Sequence, residues 1–269
     1  MATVRLLVTG ANGLLGAAVV SVATAGRSVV IAATRRDADV RDGDAVLRLV
    51  GEARPDAVVH CAYARDDEEA IVRGSANVAR AAASVDARLV HLSSDRVFRG
   101  RAEPYTEGHR TDPIDPYGAA KARAEEEVTA ACPSAVLVRT SLLWRLDPPS
   151  ASVQAVLDAL AGTTSTAFFV DELRCPNHVD DLAAACVQLA ARSDLEGPLH
   201  LAGSEAVSRY DLARRVAAAL GRDPSRIRPG RQADHASPRP PAIILDSSRA
   251  AQLMGWSPRP LPGVRRHSS

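Results

Sequence analysis

Val8-Thr9-Gly10-Ala11-Asn12-Gly13-Leu14-Leu15-Gly16 decides how this chain folds. An apolar run, Val4-Arg5-Leu6-Leu7-Val8, leads into three small residues spaced GxxGxxG, and a helical pattern opens at Leu14. Strand, glycine turn and helix in that order are the context of a dinucleotide fingerprint. Glycines let the backbone approach a pyrophosphate where free N–H groups and the helix dipole favour anions. A glycine turn serving only close helix–strand packing is the plainer alternative; the strand and helix on either side favour the cofactor reading.

Working outward, further short apolar runs fall at 28–33, 57–60, 89–93 and 135–140, with helical patterns at 14–23, 43–50, 68–83 and 117–131 between them. Val- and Leu-rich strands alternating with helices predict βαβ units and a parallel sheet covered on both faces. After Ser141 the alternation turns irregular. A linker at 145–150 carries two prolines, helices are expected at 153–161, 180–191 and 208–220 and strands at 167–170 and 199–202. Ser208 reads as an N-cap and Asp246 as the cap of a last short helix, 247–254. Residues 224–241 are Pro- and Arg-rich loop, and the tail from Ser257 is expected to fray. The fold class is thus α/β, a Rossmann-type doubly wound sheet with a small C-terminal lobe. The expected division is 1–144 with 176–203 for the dinucleotide domain, and 145–175 with 204–269 for the lobe.

The 269 residues are 46% apolar and only 3% aromatic, so the core rests on Ala, Val and Leu. A formal net charge of +1 gives no electrostatic case for nucleic acid or a membrane surface. Cys61, Cys132, Cys175 and Cys186 form no CxxC pair, and His178 and His200 have no partners at ligand spacing, so no metal is predicted. Met1-Ala2-Thr3 runs straight into the first strand, which predicts a cytoplasmic protein without a targeting segment. Glu125-Glu126-Glu127 reads as a solvated helix face.

Tyr117 and Lys121 lie four apart, on one face of a helix and about 6 Å apart along its axis. A phenol that must exchange a proton near neutrality is helped by an ammonium beside it. With a dinucleotide site, the pair suggests hydride transfer to or from a carbonyl. Thr34-Arg35-Arg36 ends the second strand with no carboxylate before Asp37. NAD sites usually place an acid there for the ribose 2′-hydroxyl and arginine suits a 2′-phosphate, so NADP is preferred over NAD; an ordinary solvated Arg pair is the alternative. Ser93-Ser94-Asp95 closes the fourth strand, where a hydroxyl faces the ligand crevice; on the residues alone, Ser94 binding a substrate carbonyl and a serine capping a turn weigh equally.

Taken together, TGANGLLG (9–16), ADV (38–40), HLSSDRVFRG (91–100), YTEGHRTDPIDPYGAAKARAE (105–125), VRTS (138–141), CPNHVDDLA (175–183), LHLAGSEAVSRYDLA (199–213) and RPPAIILDSSRA (239–250) resemble the extended short-chain dehydrogenases/reductases, and within them the dTDP-4-dehydrorhamnose reductase group. The resemblance implies roles. Ser94 matches the catalytic Ser/Thr, Tyr117 the general acid, and Lys121 the residue that holds the nicotinamide ribose and lowers the tyrosine pKa. Gly10, Asn12, Gly13, Leu14 and Gly16 match the phosphate turn, Asp39 and Val40 lie at the adenine, and Cys61 and Ala62 line the cofactor. Arg139, Thr140 and Ser141 approach the nicotinamide and the substrate mouth, while Asp95, Arg96, Pro176, Asn177 and His178 border the substrate. Arg96, Leu142, Arg174, Asn177 and Ile71 depart from the group's usual residues at sugar-facing positions. Arg174, Arg209, Arg226, Arg228, Arg231 and Arg239 fall on segments expected to reach a diphosphate, Arg239 above all; the alternative is that they keep a Pro-rich loop soluble.

The resemblance implies an NADPH-dependent reductase of a keto sugar, a nucleotide-linked 4-keto-6-deoxysugar. Two other readings stay open. One is a non-catalytic NADP-binding regulatory subunit, since the regulatory β subunit of methionine adenosyltransferase resembles the same family. The other is a sugar-nucleotide epimerase or dehydratase. The sequence does not fix the oligomeric state, and a homodimer stays among the options.

Overall fold

Hydrogen-bonded apolar runs and their connecting helices build the first half of the chain as the alternation predicts. The computed structural model describes residues 4–234 and 239–263; the Arg265-Arg266-His267 tail and residues 235–238 of the Pro-rich run lie outside them. In chain order the elements are β1 (Arg5–Thr9), α1 (Leu14–Ala25), β2 (Val29–Ala33), α2 (Gly43–Ala53), β3 (Ala57–His60), α3 (Glu68–Ser84), β4 (Arg88–Leu92), α4 (Pro116–Ala131) and β5 (Val136–Arg139). Then come β6 (Leu143–Trp144), α5 (Ala151–Ala161), β7 (Phe168–Phe169), β8 (Leu173–Arg174), β9 (Asn177–His178), α6 (Val179–Ala190), β10 (Gly197–His200), β11 (Val207–Ser208), α7 (Arg209–Ala219), β12 (Pro229–Gly230) and α8 (Ser248–Met254).

The chain divides into two units: residues 1–97, 116–139 and 180–199, and residues 98–115, 140–179 and 200–269. The second unit takes in 98–115, 140–144, 176–179 and 200–203, stretches the sequence assigns to the first.

In the first unit the sheet order is β10-β5-β4-β3-β1-β2. The β2–β1, β1–β3, β3–β4 and β4–β5 pairs are parallel. The order in which strands are added reverses between β1 and β3, the switch point where such sheets bind ligands beyond their carboxyl ends. Register aligns those ends, for Thr9 pairs with both Ala33 and His60, and His60 with His91. The strands are buried on both faces, Leu7, Val58 and Leu89 on one and Leu6, Val8, Val59 and Val90 on the other. The first face packs against Val46 and Val50 of α2, Val78, Ala79 and Ala82 of α3, and Val128 of α4. Local chemistry starts the helices: the Asp42 carboxylate caps α2, accepting from Asp44 N and Ala45 N, and Asp67 caps α3, accepting from Ala70 N.

The second unit has its own core, formed by Trp144, Val153, Val156, Leu160, Phe168, Leu212, Val216, Ile227 and Leu261. Its strands are two-residue pairs: β8–β11 antiparallel, β7–β12 and β6–β9 parallel. Ser150 and Ser208 cap α5 and α7. At α8 the N-cap is Ser247 rather than Asp246, although Asp246 Oδ1 still accepts from Ser248 N at 2.8 Å. No helix among the described residues is long and apolar enough to cross a membrane.

Candidate active site

The glycine turn leaves β1 with Gly10 at φ +67, a left-handed conformation that suits glycine. A Cβ there would stand 2.7 Å from the Ala62 backbone, so the β1 and β3 ends meet with no room for a side chain. Gly16 packs its Cα onto the Gly10 carbonyl, where a Cβ would collide. Gly13 opens α1 as an N-cap without a side-chain cap. The first-turn N–H groups of α1 thus lack the side-chain acceptor that caps α2 and α3.

The turn borders a cleft of about 850 Å³, open to solvent, with Thr9, Thr34, Arg35, Asp39, Val40, Cys61, Ala62 and Tyr63 also on its walls. Asn12, Leu14, Gly16 and Arg36 are not among its lining. Asp37, the first acid after β2, is folded back: its Oδ2 accepts from Thr34 N at 2.8 Å and Thr34 Oγ1 at 2.7 Å. Those bonds hold its pKa below the usual carboxylate value. Asp39 is held by Arg41 at 2.5 Å, which lowers its pKa to about 2. Arg35 is exposed on the cleft wall, so the polar end of this cleft offers a guanidinium and one carboxylate, Asp39, already engaged. An adenosine dinucleotide with a 2′-phosphate fits that donor set, and the bare glycine cradle fits its pyrophosphate.

The proton-handling residues are not on these walls but lie past Tyr63, whose ring centre is 6.2 Å from that of Tyr117. Tyr117 and Lys121 both lie on α4. Lys121 is 4% exposed and donates from Nζ to the Leu92 carbonyl at 2.9 Å. Burial pushes its pKa down to about 8, against the opposing pull of Glu125 and of Cys61. Its ammonium also sits 5.1 Å from the centre of the Tyr63 ring. The expectation that Lys121 lowers the Tyr117 pKa is not met in this geometry, because the ammonium is turned onto Leu92. Burial and then Tyr63 push the Tyr117 phenol above its ordinary value, against Arg65 and a hydrogen bond to Ser94, which pull it down. Ser94 also hydrogen-bonds Asp95 Oδ1 at 3.2 Å and accepts from Arg96 N at 3.2 Å. Cys61 is likewise pushed up, to about 12, by burial.

Several participants escape a reading of the sequence. His60 is buried between Thr9 Oγ1 at 2.7 Å and Ser75 Oγ at 3.2 Å. Ser75 gives its own proton to the Ile71 carbonyl, so His60 Nε2 donates to it and Nδ1 accepts from Thr9. That neutral ring has its pKa lowered to about 3 by burial, then by Lys121. Glu125 is a second surprise: it is 5% exposed, not part of a solvated face, while Glu126 and Glu127 are exposed as expected. Its spacing from Tyr117 and Lys121 was the available signal. A third signal lies in composition: Lys121 is the only lysine in a chain whose other 32 strongly basic residues are arginines. An ammonium can shift its pKa into the working range and an arginine cannot.

In the second unit the expected sugar-facing residues are otherwise engaged. Arg174 is buried, donating to the Leu173 and Pro240 carbonyls and pairing with Glu172 at 3.3 Å. Arg239, assigned to a diphosphate, instead grips Glu172 through Nε at 2.6 Å and Nη2 at 3.1 Å. Asn177 is fully buried, its amide donating to Leu201 O at 3.2 Å. Ser141 is buried and accepts from Cys175 N at 3.2 Å.

Comparison with known proteins adds the following. The family described as RmlD substrate binding domain matches residues 4–262. A dTDP-4-dehydrorhamnose reductase of Mycolicibacterium smegmatis is 36% identical over 262 residues, 92% of this chain and 80% of that protein. Methionine adenosyltransferase 2 subunit beta of Rattus norvegicus is 30% identical over 251 residues, 84% of this chain and 75% of that protein. The crystal structure of dTDP-4-dehydrorhamnose reductase from Bacillus anthracis in complex with NADP superposes with a TM-score of 0.84 at 26% identity, covering 97% of this chain and 95% of that one.

Proposed function

The chain belongs to the RmlD substrate binding domain family, and from that premise we propose that it is an NADPH-dependent reductase of a keto sugar, a nucleotide-linked 4-keto-6-deoxysugar. The observation that carries this reading is the meeting of Ser94, Tyr117 and Lys121 at the end of β4, in the same unit as the glycine cradle.

The bound cofactor supplies the hydride; the residues supply everything else. A phenol pushed above its ordinary pKa is fully protonated at working pH, the state a general acid needs when a carbonyl oxygen becomes a hydroxyl. Ser94, hydrogen-bonded to Tyr117, offers the hydroxyl that orients that oxygen beside the phenol. Lys121 donates to the Leu92 carbonyl and so ties the helix that carries Tyr117 to the strand end that leads to Ser94. Arg35 stands on the cleft wall as the donor for a 2′-phosphate.

The test is consumption of NADPH, followed by its absorbance, with a dTDP-linked 4-keto-6-deoxyhexose and with the corresponding free sugar. Turnover of the nucleotide-linked substrate alone supports the reading in full. Tight NADPH binding without turnover of any keto sugar would point instead to a non-catalytic subunit, the reading favoured by the identity to the rat subunit beta.

A further inference from the structure

Three consecutive residues at the end of β4 are each taken up by a side chain from one face of α4. The Leu92 carbonyl accepts from Lys121 at 2.9 Å, the Ser93 hydroxyl donates to Glu125 Oε1 at 2.5 Å, and the Ser94 hydroxyl bonds Tyr117. Side chains four apart stack along one face of a helix, so 117, 121 and 125 form a single row. Glu125 carries a second tie. Arg139 of β5 reaches it in a bidentate fork, Nε at 3.0 Å from Oε1 and Nη2 at 2.7 Å from Oε2. Ser93 N donates to Val138 O at 2.8 Å, so the β4 and β5 ends and α4 are fastened at one buried point.

Burying a carboxylate and a guanidinium together is seldom the most stable use of a core; apolar pairs of the same volume often do better. Glu126 and Glu127, the next two residues, stay in solvent. The buried position is therefore explained by what it holds. We propose that Glu125 is a positioning residue of this enzyme, locking the strand end that carries Ser94 to the helix face that carries Tyr117 and Lys121. The part of this concerning turnover rests on the reductase reading; the locking itself does not.

Electrostatics points the same way. Turned toward Lys121 are His60 of β3 with Cys61 after it, His91 of β4, the Tyr63 ring, and Glu125 on its own helix, which Arg139 of β5 shares. The α3 side contributes Ile71 and Val72, which pack on α4 and carry no charge. The two histidines and the thiol are held neutral by burial, so Glu125 is the anion of the set.

The single lysine makes this testable, because isotopically labelled lysine gives one side-chain NMR resonance, that of Lys121. Glu125→Gln keeps the volume and removes the charge. Its Lys121 titration midpoint should fall by about one unit or more, the size of a nearby opposite charge. Its kcat should drop roughly tenfold to a hundredfold, as displaced reacting groups do, with KM and the NADPH Kd changed less than about twofold. Should Glu125→Gln leave Arg139 too exposed to fold around, Glu125→Leu with Arg139→Met leaves no charge unpaired; it should fold, and show the same kcat loss. Either variant, folded and with wild-type kcat, would overturn the positioning role. A wild type that reduces no keto sugar would instead remove the reductase reading, and an unmoved Lys121 midpoint in Glu125→Gln would then overturn the clamp on its own.

Discussion

The ammonium of Lys121 lies 2.9 Å from the carbonyl oxygen of Leu92, the residue that ends β4, two places before Ser94. A cation is thus kept out of water to hold a backbone in place, and that costs stability. Burial brings its pKa from 10.5 to about 8, so the folded state binds the proton more weakly than the unfolded chain. A base depressed in this way opposes folding fully below pH 8, and the penalty fades as pH rises toward 10.5. Lys121→Met should therefore melt higher than wild type at pH 7 while losing turnover and cofactor affinity. The gap, on the order of a few kcal/mol at pH 7, should close by pH 10.5. Thermal melts across that range check it, and a gap that stays constant would contradict the assignment.

Tyr117→Phe removes the proton donor and keeps the ring beside Tyr63, whose centroid is 6.2 Å away. Turnover should fall by about 10²–10⁴, the range for a general acid. NADPH affinity, measured by fluorescence, should stay within a few-fold. Full activity with a true substrate would take Tyr117 out of the chemistry.

Arg35 is on the cleft wall and Arg36 is not. Arg35→Ala should weaken NADPH about tenfold or more, as losing one charged hydrogen bond is worth about 1.5–3 kcal/mol, and leave NADH nearly unchanged. Arg36→Ala should do much less. Equal loss for both cofactors, measured by titration at physiological salt, would argue against a 2′-phosphate contact.

Arg239 now predicts stability in place of substrate affinity. Burial alone would raise the Glu172 pKa, but the Arg239 bonds and the charges of Arg174 and Arg209 outweigh it and leave it lowered. A carboxylate depressed on folding stabilises above its unfolded pKa, near 4.5, and that contribution is lost as pH falls through the folded value. Arg239→Gln should lower the melting temperature by roughly 6 °C or more at pH 7, since breaking a buried pair costs about 3–5 kcal/mol and each kcal/mol moves the midpoint of a large domain by about 2–4 °C. The difference should shrink toward pH 3. A variant that melts with wild type at pH 7, with a raised KM, would restore Arg239 to the substrate.

The first five strands and first four helices were legible because each carries its own pattern: apolar runs, an Asp cap, a glycine turn. Of the two-residue strands of the second unit only β7 was, inside the apolar run 167–170; Leu173 pairs with Ser208 and Leu143 with Asn177 through long-range contacts that leave no periodicity. The site divided along the same line. Gly10, Gly13, Tyr117 and Lys121 stand out by type and spacing, and Ser94 by the family resemblance. Glu125 did not, because a Glu-Glu-Glu run reads as charge on a surface; only its place in the 117–121–125 row sets it apart. Arg174 and Arg239 illustrate the opposite error. Guanidiniums suit phosphate from sequence, yet a buried carboxylate, Glu172, claims both.

With Lys121 out of solvent, every strongly basic side chain at the surface is an arginine. Lysine-coated proteins shed their positive charge near pH 10, whereas guanidiniums keep theirs beyond pH 12. Pairs such as Arg192 with Asp194 and Arg99 with Asp112 therefore survive alkaline conditions that neutralise an ammonium partner. Amine-directed dyes and aldehyde fixatives meet no lysine on this coat. The one side-chain amine they could modify lies behind Tyr63, where reaction would silence the protein and bound cofactor should shield it.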